Sequence, residues 1–267
     1  MKKISTVALL LLLFGACNKD NPMESKLKNC KIEYLYFNDD ITLADSELFG
    51  ISAEQSNYSY SSGRLTRVDG GFLMFPSGND LTNMVFIAEV YDSLVYNDNV
   101  VSLFKKCSLA DCNIYPVVNP AVFHFDEAGN LVKINRKTSF RPNGINFFYT
   151  YEGNQILETN ELGTSERIFY IEGGNLVKVT IEDKNNSGVL VGATETIFSG
   201  FDKHRNPFKK LFYVRGAFYR AFSENNFNTI THKVFSVNEQ GRTLLSEKSF
   251  SISFGYNAQG WPKFGDY

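Results

Sequence analysis

Cys107 and Cys112, in CSLADC, have the spacing best suited to covalent chemistry in this chain of 267 residues. In an oxidising compartment such a pair can close a tight disulfide loop. The same spacing fits half of a metal site, but no His or second Cys pair accompanies it, so no metal is expected. Cys30 is then left as a small buried hydrophobe. The three histidines, His124, His204 and His232, show no HExxH-like spacing and read as solvated or locally bonded side chains. No nucleophile elbow, P-loop or dinucleotide fingerprint occurs, so no cofactor is expected and no catalytic residue is named.

The carboxylates offer little more. In DKNNSG, Asp183, Asn185 and Ser187 alternate before Gly188 as in a calcium loop. Such a loop wants a bidentate Glu at its twelfth position. Here that position is Thr194, and Glu195 misses it by one, so a long hairpin turn is expected. Asp39 and Asp40 are adjacent, and adjacent strand residues point to opposite faces. They cannot flank one sugar as a glycosidase pair must, and an Asx turn is the reading. Trp261 follows Gly260 and precedes Pro262 near a loop tip, where its ring caps the core or serves as a ligand platform.

The elements that would position these residues begin with the address. Met1-Lys2-Lys3 is basic, Val7 to Phe14 is apolar, and Gly15-Ala16-Cys17 follows, as in a secretory signal peptide. The run is short of the roughly 20 apolar residues that span a bilayer. FGAC, residues 14 to 17, resembles the bacterial lipobox, with Phe14 where Leu is usual. The resemblance implies that Cys17 is diacylated and becomes the mature N-terminus. Two or more acyl chains, at about 0.8 kcal/mol per buried methylene, anchor stably. Asn18-Lys19-Asp20-Asn21-Pro22 supplies a polar tether, and Asn18 after the lipidated Cys implies, by the same resemblance, an outer-membrane destination. The expected organisation is a signal peptide over 1–16, a lipidated tether over 17–28, and one domain over 29–267.

Loss of residues 1–16 removes Lys2 and Lys3 from 27 basic residues, leaving 25 against 29 acidic ones, a net charge of −4. Without a basic block, a nucleic-acid partner is not expected. Hydrophobic residues make up 43%, enough for a packed core.

FHFDEAGNLVKI, from Phe123, holds two aromatics two apart, an acidic turn with Gly, and a second extended run. The pattern returns in NYSYSSGRLTRV, FFYTYEGNQILET, IFYIEGGNLVKV, KVFSVNEQGRTLL and ISFGYNAQGWPKF, and more weakly in IFSGFDKHRNPFKKL from Ile197. Each copy reads as a β-hairpin with an aromatic-rich apolar face and a polar face. Alternation puts Val132 with Ile134, Val177 with Val179, and Thr66 with Val68 on the apolar side. Lys133, Lys178 and Arg67 take the other. The turn residues are Asp126, Gly129 and Asn130, and Gly173, Gly174 and Asn175. KIEYLYF, GFLMF, MVFIAEVY and KLFYV read as further strands, and Leu43 to Phe49 as one or two helical turns.

Phe123, Phe125, Asp126, Gly129, Asn130 and Leu131 together resemble the YD repeat of rearrangement-hotspot proteins. With the lipobox ahead of several such hairpins, the chain is similar to Bacteroidetes-type lipoproteins of unknown function, some with a porin-like curled antiparallel sheet. It lacks the length and effector domain of a toxin cage, so that function does not carry over. The expected fold is all-β: an antiparallel meander of repeated hairpins, curled into a barrel-like or open sandwich sheet.

The functional expectation is a non-enzymatic, lipid-anchored envelope module that binds or scaffolds an extracellular glycan or an envelope protein. A glycan-binding surface lipoprotein and an envelope carbohydrate-active hydrolase are the alternatives.

Overall fold

The computed structural model describes residues 34–36, 55–77, 81–108, 120–138, 141–162, 166–185, 187–214, 217–251, 255–256 and 262–263. Among them the chain is all-β. The strands are β1 (Tyr34–Tyr36), β2 (Gln55–Ser61), β3 (Arg64–Ser77), β4 (Leu81–Asn97), β5 (Val100–Cys107), β6 (Ala121–Phe125) and β7 (Leu131–Thr138). There follow β8 (Arg141–Glu152), β9 (Gln155–Asn160), β10 (Glu166–Glu172), β11 (Asn175–Lys184), β12 (Leu190–Ser199), β13 (Thr229–Asn238) and β14 (Gly241–Ser251). These fourteen form one antiparallel sheet in sequence order, while β15 (Gly255–Tyr256) and β16 (Pro262–Lys263) form a separate pair. The large sheet is an open meander, not a closed barrel. Because neighbours run antiparallel, the turns after β2, β4, β6, β8 and β10 all lie at one end.

Three hairpins share one irregularity. Tyr58 faces Val68 and Tyr60 faces Leu65; Phe123 faces Ile134 and Phe125 faces Leu131; Phe169 faces Val179 and Ile171 faces Leu176. Each return strand therefore carries one extra residue, Thr66, Val132 or Val177, in a β-bulge. This corrects the simple alternation expected from sequence. The inward partners are Leu65, Leu131 and Leu176, all at 0% exposure. A bulge shifts side-chain parity by one, which period-two counting cannot see. Arg67, Lys133 and Lys178 do lie on the outer face, opposite Ser59, His124 and Tyr170.

The second correction concerns residues 200–228, between β12 and β13. The sequence suggests a hairpin from Ile197 and a strand at Lys210–Val214; neither forms. Gly200 takes φ +67°, and the chain leaves the sheet to run out and back across its inner face. Turns carry it, with the Leu211 amide donating to the Phe208 carbonyl at 2.8 Å and the Val214 amide to that of Leu211 at 3.0 Å. A short 3-10 turn, Arg220–Phe222, lies on the return leg. The run has strand-like residue types, yet its Phe208, Leu211, Phe212, Tyr213 and Val214 are all buried. A strand with one solvated face would leave half of them wet, so burial overrides local preference.

This strap completes the core. Tyr213 packs edge-on to Tyr96 at 6.0 Å and Phe123 at 6.1 Å, and Phe212 meets Phe125 at 6.0 Å. Phe222 lies 4.8 Å from Phe169, and Phe227 4.8 Å from Phe198. Aromatic pairs at such distances add about 0.5–1.5 kcal/mol each beyond their burial. The inner side is filled by the protein's own rings.

Candidate functional site

The hairpin turns at the strap end are built first by local chemistry. Asp126 Oδ1 accepts from the Asn130 amide at 2.7 Å, and its Oδ2 accepts from Asn130 Nδ2 at 2.9 Å. The Gly129 amide donates to the Asp126 carbonyl at 2.9 Å, with Gly129 at φ +74°. In the β10–β11 turn, Gly173 and Gly174 hold φ +55° and +81°. A Cβ on Gly174 would stand 2.8 Å from Glu224 Cγ, so glycine also lets the strap approach.

These turns do a second job that the sequence hides: they clamp the strap. The Glu224 amide donates to the Gly174 carbonyl at 3.0 Å, and Ser223 Oγ accepts from the Leu176 amide at 3.0 Å. Lys210 Nζ donates to the Ala128 carbonyl. Within the strap, buried Asn206 donates to the carbonyls of Arg220 at 2.7 Å and Ser223 at 2.9 Å. Arg220, buried, donates to the Phe227 carbonyl at 3.0 Å and lies over that ring at 4.1 Å. No motif in the sequence links residues this far apart.

A cleft of about 190 Å³ opens between turns and strap. Phe212, Phe222 and Ile156 form its apolar floor, with Asn130, Gln155 and Lys210 among its polar lining. Tyr151 forms a wall; its hydroxyl donates to the Leu131 carbonyl at 3.0 Å while the residue remains 40% exposed. Burial of that hydroxyl, with Asp126 nearby, pushes the phenol above its ordinary range. It stays protonated, and the ring is held in one orientation.

A different cluster lies beneath the strap. Tyr149, Glu158 and Arg167 stand in register on β8, β9 and β10. Tyr149 Oη donates to Glu158 Oε2 at 2.5 Å, and Arg167 Nε lies 3.5 Å from Glu158 Oε1. Burial, then Glu158, raises the Tyr149 phenol well above its usual value. Glu158 is 3% exposed and both its oxygens are engaged by these neighbours, so the trio ties three adjacent strands together.

Of the remaining sequence candidates, Cys107 is disulfide-bonded. Cys112, Cys17, Cys30, the Asp39-Asp40 pair, Trp261 and the Leu43–Phe49 segment lie outside the described residues. The described residues of DKNNSG belong to a hairpin connection in which Asn185 Oδ1 accepts from the amides of Ser187 and Val189. His124 faces Lys133 across the hairpin, His204 stacks on Tyr256 at 3.9 Å, and His232 Nδ1 meets Thr196 Oγ1 at 3.2 Å.

No family model matches the sequence, and no curated protein matches it. Among solved structures the chain is similar to a porin-like protein from Bacteroides uniformis ATCC 8492, with 13% identity and a TM-score of 0.43 over 78% of this chain and 80% of that one. It is also similar to a porin-like protein from Bacteroides vulgatus ATCC 8482, with 9% identity and a TM-score of 0.41 over 73% of this chain and 88% of that one. Similarity at this level assigns no property to this chain.

Proposed function

We propose that the protein is a cell-envelope lipoprotein, anchored through Cys17, whose β domain is a non-enzymatic binding or scaffold module. The observation that carries the reading is the strap. By filling the inner face with its own aromatics, residues 200–228 turn the sheet into a solid body and leave the turn end, with its cleft, for contact. The anchor rests on FGAC after an apolar run and on the polar tether behind it, and Asn18 favours the outer membrane as destination. The recurrent bulged hairpins support a reading of the sheet as degenerate YD-like repeats, a structural device and not a series of active sites. The partners are the membrane lipid and an extracellular glycan or envelope protein.

Metabolic labelling with a palmitate analogue is the test of the anchor: the wild type incorporates label and Cys17→Ser does not. An unlabelled, fully released wild type overturns it. The non-enzymatic half is tested by incubating the purified chain with chromogenic glycosides and esters, and turnover above the buffer rate overturns that half.

A further inference from the structure

We propose that the cleft between the turns and the strap receives a single neutral sugar ring at the end of a glycan, with Tyr151 as its stacking platform. The inference rests on the reading of the protein as a binding module and adds the class of ligand.

Size comes first. A cleft of about 190 Å³ is smaller than the roughly 300–1,000 Å³ that encloses a drug-sized molecule, and suits one small ring. Its chemistry is two-sided. A pyranose presents C–H groups on its faces and hydroxyls at its edge, and the cleft offers an aromatic wall and apolar floor beneath a rim that includes Asn130, Gln155 and Lys210. Tyr151 is prepared for stacking: the Leu131 carbonyl ties down its hydroxyl, so little ring motion is lost on binding. Charge argues for a neutral ring. Lys209 already lies 3.3 Å from Glu224, Lys210 is engaged by the Ala128 carbonyl, and Asp126 stands beside Asn130. The carboxylates near the rim offset its two ammonium groups.

The full mature chain in detergent is tested against oligosaccharides ending in glucose, galactose or mannose, with dissociation constants measured by titration calorimetry. At least one terminal sugar is expected to bind, and Tyr151→Ala to weaken it about tenfold or more. Tyr151→Phe keeps the ring but frees it from the Leu131 carbonyl, and is expected to weaken binding by less than Tyr151→Ala does. Phe148→Ala removes an equally exposed outer-face ring, 40% accessible, and is expected to leave binding unchanged. Thermal melts establish that each variant folds. Binding that survives Tyr151→Ala, or no binding to any of these sugars, overturns the proposal and leaves the anchored module standing. Release of free sugar from a bound glycan overturns the non-enzymatic reading instead, without moving the site.

Discussion

Asn175 and Asn225, fifty residues apart in sequence, bond each other twice. The Asn225 amide donates to Asn175 Oδ1 at 2.9 Å, and Asn175 Nδ2 donates to Asn225 Oδ1 at 3.2 Å. A residue that reads as turn chemistry is thus the hinge pin between a hairpin and the strap crossing the core. Asn175→Ala strands a backbone donor, and the expected cost is about 1–3 kcal/mol. Urea melts measure it. Unchanged stability would mean that the strap is held by its aromatic rings and its other hydrogen bonds, without this pair.

Phe169→Ala is expected to destabilise by about 3–5 kcal/mol, since the ring is fully buried between sheet and strap. Lys178→Ala, on the opposite face of the same hairpin, loses an ammonium 4.3 Å above Tyr170. That half-buried cation–π contact contributes about 0.5–1 kcal/mol. Chemical denaturation of the two variants side by side checks the order. Its reversal would invert the assignment of inner and outer faces.

Gly129→Val forces a β-branched residue to φ +74°, and a cost of about 1–3 kcal/mol is expected. Asp126→Asn keeps an acceptor for the Asn130 amide and is expected to be far milder. Paired thermal melts separate strain from lost hydrogen bonding. Equal effects would place the cost outside the glycine's backbone.

His124 is held below its ordinary pKa, first by burial and then by the Lys133 ammonium that faces it. A histidine whose folded pKa is depressed prefers to be neutral in the native state. Its contribution is complete above the unfolded pKa of about 6.5 and is lost as pH falls through the lower folded value. NMR titration of the imidazole should give a midpoint under that of a free peptide, and His124→Gln should flatten the acid limb of the stability profile. A midpoint at or above the peptide value contradicts the assignment.

Much of the sheet was legible because aromatics two apart mark a half-buried strand, as Phe123 and Phe125 do. The hairpin turns were legible from Gly129 and Gly173-Gly174, where φ is positive. The bulges were not, since one extra residue leaves no compositional trace and passes the inward role from Val132 to Leu131. The strap departs from its sequence pattern for a deeper reason. Lys210–Val214 carries strand-like residues, and only tertiary burial on both sides tells a packed crossing from a pleated one. The cleft was invisible for the same cause: Asn130, Tyr151 and Lys210 meet through the strap and not through any spacing.

Connectivity also bears on the order in which the molecule assembles. Every strand of the large sheet pairs with its neighbour in sequence, so most pairings close short loops. The union of β12 with β13 is different, since it must wait for residues 200–228 to be accommodated. Local pairings form faster than distant ones, so an early species is expected with hairpins formed and rings such as Phe169 and Phe198 still uncovered. Far-UV circular dichroism should then recover before the near-UV aromatic signal, and coincident recovery would exclude such a species. Such a wet aromatic face is the surface on which chains adhere to one another before they are native.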